Sequence, residues 1–298
     1  MLVKRPEDLY PTEVPDNVFR ALESSQVTDV HVFGRRSPLH VKFTPLELRE
    51  VGDLEDVDIV LYDEDFNGND GWREDIAANK QLAVIERIFE DWRRRKVGEA
   101  SRRLHFHFFS QPTEVFGSDA VEGLRCERIE LTARGETMPS GETRSWEVQA
   151  VYRAVGYFGS PLVEIPFDFA NGVVPNRRGV VVDGGGLPLQ GLFVTGWIKR
   201  GPVGLIGHTK SDAMETITAL LEREGSLWNP SDTNSEAIPR LLVNRKVSYT
   251  RLSGWHRLDG EEAKRGKLKG KQRIKVVDRD EMLALSAGAK FEEPGTHG

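Results

Sequence analysis

One cysteine, Cys126, occurs in 298 residues. That excludes an intramolecular disulfide and any cysteine-ligated zinc or iron-sulfur site, so iron-sulfur chemistry, if involved, has to be brought by a partner. No apolar run approaches the roughly 20 residues of a membrane span, and the opening MLVKRPEDLYP has no apolar core of signal-peptide type. A cytoplasmic location is the expectation. Basic charge is also in short supply: 41 Lys and Arg stand against 47 Asp and Glu, a net charge of -6. This argues against a general nucleic-acid binder, because neutralising phosphates favours a basic excess. A G-x-S-x-G elbow is missing, no cysteine sits beside a redox partner, and there are no internal repeats.

What is present reads as a globular α/β chain, long enough for two lobes of about 100–200 residues each. Pro15 and Asp16 precede Val18, Phe19 and Leu22 at helical spacing. TDVHVFG forms a short strand with Val30, Val32 and Phe33 between Asp29 and Gly34, and runs directly into Arg35 and Arg36. TPLELRE opens a helix with Thr44 as N-cap, Pro45 at the first helical position and Glu47 at capping-box spacing. VDIVLYD is a further strand and AANKQLAVIERIFEDWRRR an amphipathic helix. LHFHFFSQPTEVFG, GLRCERIELTA and SWEVQAVYRAVGY follow as strands. After about Arg153 come short strands with glycine turns, then GWIKRGPVGLIG leading into the helix SDAMETITALLERE, closed by Gly225. The tail from about Leu227 is polar, with apolar stretches only at Leu241 to Val243 and Met282 to Leu285.

Two places carry candidate chemistry. Arg35 and Arg36 lie at the carboxyl end of a predicted parallel strand, where doubly wound folds place ligands. At the equivalent point of a dinucleotide-binding unit, arginines accommodate the 2′-phosphate of NADP; a solvated arginine pair is the alternative. GWIKRGPVGLIG makes a tight loop before a helix, whose amino end with its free N–H groups suits an anion or a reduced flavin ring. Trp197 supplies an aromatic face there, and a structural turn with a core tryptophan is the alternative.

Other patterns point less far. Asp63, Asp65, Asn67, Gly68 and Glu74 match the calcium-loop pattern, but a strand precedes them and Asp70 takes the usually apolar eighth position, so a solvated acidic loop is favoured. His105 and His107 share a strand face with no third ligand evident nearby, and His208 and His256 have no better case as ligands. The basic runs Arg93 to Lys96, Arg102 with Arg103, and Lys264 to Lys275 read as solvated faces or as a surface steering an acidic partner.

VHVFGRRSPLHVKFTPLELREV, RAVGYFGSPLVEIPFD, GVVPNRRGVVVD and TGWIKRGPVGLIGHTKSDAMETITALLE together resemble the adrenodoxin-reductase-like branch of ferredoxin-NADP reductases. The resemblance runs from Pro6 to about Leu285, and GRRxPLxxxFTxxELRE and GWIKRGPxGxIG are its most specific motifs. It implies a Rossmann-like NADP-binding lobe, incomplete, over residues 1–153, the returning part of a split FAD-binding lobe over 154–225, and a polar extension over 226–298. It implies electron transfer between NADPH and an iron-sulfur ferredoxin through FAD. Arg35 and Arg36 would hold the 2′-phosphate and Glu47 would contribute to the NADP site. Trp197 and the backbone of Gly204, Leu205 and Ile206 would contact FAD, with Gly204 also near the nicotinamide.

The family's amino-terminal G-x-G-x-x-G fingerprint and its second Gly/Asn-rich turn are not found here, which corresponds to roughly 150–200 residues of the family pattern. Ser37 replaces a common glycine and His208 a small residue. A fragment inactive alone, or one half of a split reductase, is therefore the alternative to a working enzyme. A non-redox interaction protein would require both glycine turns to be coincidental.

Overall fold

The computed structural model describes residues 1–67, 76–132, 136–202, 206–227, 229 and 231–288. They form two compact units, Met1–Val151 with Tyr249–Gly298, and Tyr152–Ser248. In the first, α1 (Pro6–Leu9) and α2 (Asp16–Glu23) precede β1 (Asp29–Phe33), α3 (Pro45–Gly52), β2 (Val57–Val60), α4 (Lys80–Arg93) and β3 (Arg102–His107). The three strands make a parallel sheet in the order β1-β3-β2. One face is apolar because alternate residues share a side of a strand: Val30 and Val32 of β1, Ile59 of β2, and Leu104 and Phe106 of β3 join one core. Against it α4 buries Ile85, Ile88, Phe89 and Trp92, the i, i+3, i+4, i+7 stripe of an amphipathic helix. Each such large side chain withdrawn from water contributes on the order of 1.5–3 kcal/mol.

β4 (Ser110–Phe116), β5 (Gly123–Leu131) and β6 (Thr137–Glu147) form an antiparallel sheet. Trp146 of β6 lies edge-on to Phe33 and His107, with centroids 5.0 and 5.1 Å apart, so this sheet meets the parallel one on its histidine-bearing face. The strand expected to continue through VQAVYRAVGY stops at Glu147. A strand needs a neighbour for its N–H and C=O groups. Among the described residues no strand pairs with 148–157, and Tyr152, Val155 and Tyr157 are exposed.

The second unit holds β7 (Asn176–Arg177), β8 (Val180–Val182) and β9 (Pro188–Phe193), a short antiparallel sheet whose Val180, Val181 and Val182 are all buried. It continues with α5 (Trp197–Arg200), α6 (Ile206–Leu221) and α7 (Ala237–Asn244).

The polar tail is more ordered than its composition suggests. Residues 249–288 group with the first unit and fold into α8 (Leu252–Leu268) and α9 (Arg279–Ala287). Glycine and charge hide α8 from a periodicity reading, yet they make its contacts. A Cβ on Gly266 would lie 2.3 Å from the Cα of Arg273, so only glycine admits the returning chain there. Buried Glu262 accepts from the Val276 N–H at 3.1 Å and from Lys275 at 2.9 Å. The basic run is largely consumed in the same way: Lys269 pairs with Asp16, Arg273 with Glu13 and Asp259, and the Lys271 ammonium sits 4.4 Å over the Tyr10 ring. In the other runs Arg93 pairs with Asp63 and Glu90, and Arg103 with Asp29.

Candidate functional site

At the tip of β1 the backbone is pinned while the arginine side chains are exposed. Gly34 donates its N–H to the His107 carbonyl at 2.8 Å and accepts from the Ser110 N–H at 3.0 Å, and the Arg36 carbonyl accepts from the Phe109 N–H at 3.1 Å. Next comes a short 3₁₀ turn, Pro38–His40, with Pro38 and Leu39 buried. Ser37 is buried too, its hydroxyl 2.6 Å from His40 Nδ1, so it is accommodated where a glycine was the family expectation. Arg35 and Arg36 are both exposed on this ledge at the carboxyl end of a parallel strand.

Glu47 follows on α3 and closes the expected capping box. Its Oε2 accepts from the Thr44 N–H at 2.6 Å, while the Glu47 N–H donates to the Thr44 hydroxyl at 3.3 Å. The same side chain thereby holds the first turn of the helix that follows the arginine ledge. Thr44→Ala is expected to lower stability by about 1 kcal/mol, read as a shift of the urea midpoint at constant slope. An unchanged midpoint would remove the cap from the account.

The turn around Trp197 is built on a buried carboxylate. Gly196 and Gly201 flank α5 at φ 78° and 83°, a conformation side-chain-bearing residues resist. Asp212 of α6 reaches back to this turn: Oδ2 accepts from the Gly196 N–H at 2.6 Å and from the Thr195 hydroxyl at 2.9 Å. Oδ1 lies 2.9 Å from Lys199 Nζ and 2.8 Å from Arg200 Nε. Burial opposes the charge on Asp212, but the Gly196 N–H, Lys199 and Thr195 outweigh it and hold the carboxyl at about 2. Burial likewise opposes the Lys199 ammonium, and Glu215 with Asp212 keeps it above its ordinary range. The result is a rigid turn presenting Trp197, 51% exposed, its ring stacked on Tyr157 at 5.9 Å. Ile206 begins α6, whereas Gly204 and Leu205 lie outside the described residues. Arg35, Arg36 and Glu47 belong to the first unit and Trp197 to the second.

No family model matches the chain. NADPH-ferredoxin reductase FprA of Mycobacterium tuberculosis is 31% identical over 299 residues, 97% of this chain and 64% of its own length. The mitochondrial NADPH:adrenodoxin oxidoreductase of Mus musculus is 34% identical over 300 residues, 96% of this chain and 60% of its own. The solved structure of Mycobacterium tuberculosis FprA in complex with NADPH superposes with a TM-score of 0.86 at 31% identity, covering 96% of this chain and 64% of that one. The chain is a homologue of the adrenodoxin-reductase-like ferredoxin-NADP reductases. It spans less than two thirds of the length of these relatives. The expected α/β class holds, with the parallel sheet and helices of the first unit matching that reductase fold.

In the acidic loop, Asp65 is buried, accepts from the Phe108 N–H at 2.8 Å and pairs with Arg128, while Asp63 pairs with Arg93, so neither is a spare calcium ligand; Gly68 and Glu74 lie outside the described residues. The Cys126 thiol is buried, which pushes it up to about 12 and leaves it unreactive at neutral pH. His105 and His107 do have a third imidazole beside them, His31 of β1, with candidate ligand atoms of all three within 4.8 Å of one another. Spacing along one strand could not reveal it, because the neighbour comes from the register of a distant strand.

Among the described residues, no helix is long and apolar enough to cross a membrane.

Proposed function

We propose that this chain supplies the 2′-phosphate recognition and one flavin-facing turn of an FAD-dependent ferredoxin-NADP+ reductase. The observation that carries the reading is the Arg35 and Arg36 ledge: two exposed guanidinium groups on a pinned backbone at the carboxyl end of a parallel strand. Planar forks of this kind match a phosphate, and the position is where a dinucleotide's ribose lies in doubly wound folds. Glu47 organises the adjoining helix start. The relatives' names, with NADPH and ferredoxin or adrenodoxin in them, support the same substrate and partner.

The Trp197 turn fits a flavin. Trp197 offers an aromatic face backed by Tyr157, flanked by glycines that keep the approach open. Beyond it, α6 begins at Ile206, and the partial positive charge of a helix amino end favours electron density on a reduced ring. Gly204 and Leu205 complete this contact in the proposal. A bound FAD would supply the conversion of a two-electron hydride donor into single electrons for an iron-sulfur ferredoxin, chemistry outside the reach of side chains. The chain's own part is to select the dinucleotide, present an aromatic wall and hold the turn still. In this reading residues 1–153 serve NADP, 154–225 serve FAD, 226–298 form an accessory extension, and the protein works in the cytoplasm.

The test is NADPH-dependent reduction of a [2Fe–2S] ferredoxin by a flavin-loaded protein containing this chain. Ferredoxin reduction with NADPH preferred over NADH is the expected result. A flavin-loaded protein that reduces ferredoxin from neither nucleotide would overturn the proposal.

A further inference from the structure

The face of the parallel sheet opposite α4 carries three histidines where a buried strand ordinarily carries Val, Ile or Leu. β1 and β3 pair in register, His31 opposite His105 and Phe33 opposite His107. Alternation therefore brings all three imidazoles to one side, away from Leu104 and Phe106. His31 Nδ1 and His107 Nε2 are 2.9 Å apart, and one candidate donor atom from each ring lies within 4.8 Å of the other two. His105 is oriented from both ends: its Nε2 lies 3.0 Å from Asp29 Oδ1 and its Nδ1 2.9 Å from the Tyr62 hydroxyl. Asp29 is itself gripped by Arg103 through two bonds of 2.6 and 2.9 Å.

We propose that His31, His105 and His107 form a binding site for a divalent transition-metal ion of the zinc class, between the parallel sheet and β6. Zinc bonds to imidazole nitrogen at about 2.0–2.1 Å in tetrahedral geometry, which sets neighbouring nitrogens roughly 3.3 Å apart. The 2.9 Å between His31 Nδ1 and His107 Nε2 is within a few tenths of an ångström of that value, and all three donors lie within 4.8 Å of one another. Asp29 on His105 Nε2 is the outer carboxylate that metal-bound imidazoles usually have, leaving Nδ1 for the ion. The rings now lie nearly parallel, 17° and 18° from His31 to its two neighbours. Binding accordingly requires the rings to turn on a fixed backbone until their in-plane lone pairs converge, displacing Tyr62 from Nδ1. His107 also lines a cavity of about 360 Å³ with Tyr62, Cys126, Arg144 and Trp146, which gives access and room for a water as fourth ligand.

Protons compete weakly for the nitrogens of His107 and His31. Burial, reinforced by the neighbouring His31 and His105, holds His107 at about 3, and burial with His105 lowers His31. Neutral imidazole is the form a metal needs.

The experiment titrates the full chain, stripped with a chelator, with Co2+ and then Zn2+. One equivalent of Co2+ should produce the visible bands of a tetrahedral or five-coordinate ion, and Zn2+ should remove them. His31→Gln and His105→Gln should each weaken Zn2+ at least a hundredfold, and Asp29→Asn by about 10–100-fold, with His256→Gln unchanged. If a histidine variant fails to fold, paramagnetic broadening by Co2+ in the unaltered chain decides: imidazole resonances of His31, His105 and His107 should broaden first. Absence of stoichiometric binding, wild-type affinity in the folded His31→Gln and His105→Gln variants, or broadening confined to other histidines would overturn the site.

Discussion

Replacing Arg35 and Arg36 by alanine in a reductase containing this chain is expected to weaken NADPH binding roughly a hundredfold, about tenfold for each lost charge-assisted contact. NADH should change by no more than a few-fold. The asymmetry follows from where the side chains stand. Their backbone is held by the Phe109 N–H and by the buried Ser37-Pro38-Leu39 turn, so truncation removes two guanidinium groups without disturbing the strand. Titration of both nucleotides against wild type and variant measures it. Equal losses for the two would mean that the arginines act on something common to both, such as the pyrophosphate, or on stability.

Asp212→Ala carries the largest expected cost in stability. The Lys199 and Asp212 side chains are 3% and 2% exposed, and removing one partner of a buried pair costs about 3–5 kcal/mol. Glu215, half in solvent, still reaches Lys199 at 2.5 Å, which places the expected loss near the lower end of that range. Urea unfolding followed by tryptophan fluorescence reads it, since Trp197 rides on the turn that Asp212 holds. The same carboxylate gives a pH signature. Its folded value of about 2 lies below the unfolded value near 3.9. A depressed carboxylate contributes stability that is fully present above the unfolded value and is lost as pH falls through the folded one. The second unit should therefore keep this contribution down to about pH 4 and lose it between there and pH 2, and the alanine variant should lack that step. An alanine variant with wild-type stability would contradict the buried-pair description.

Local chemistry was legible in the sequence and long-range pairing was not. The arginine tip of β1, the Thr44 and Glu47 cap and the apolar stripe of α4 are each written within a few adjacent residues, and the structure has all three. The glycine flanks of Trp197 were visible too, but their support by Asp212 was not, because that residue is 15 positions further along a different helix. SWEVQAVYRAVGY has strand composition over its whole length, yet among the described residues only its beginning pairs with a neighbouring strand. The tail read only as polar, while in the structure Gly266 permits a close chain approach and Glu262 is a buried hydrogen-bond acceptor. The histidine triad repeats the lesson, since His31 joins His105 and His107 only through parallel register.

The β1 tip is proposed to read a 2′-phosphate, and adenosine 2′,5′-bisphosphate against adenosine 5′-monophosphate isolates that single group. In a calorimetric titration of the protein, the bisphosphate should bind at least tenfold more tightly, with the difference abolished in the Arg35→Ala, Arg36→Ala variant. Equal affinities for the two nucleotides in the unaltered protein would contradict the account.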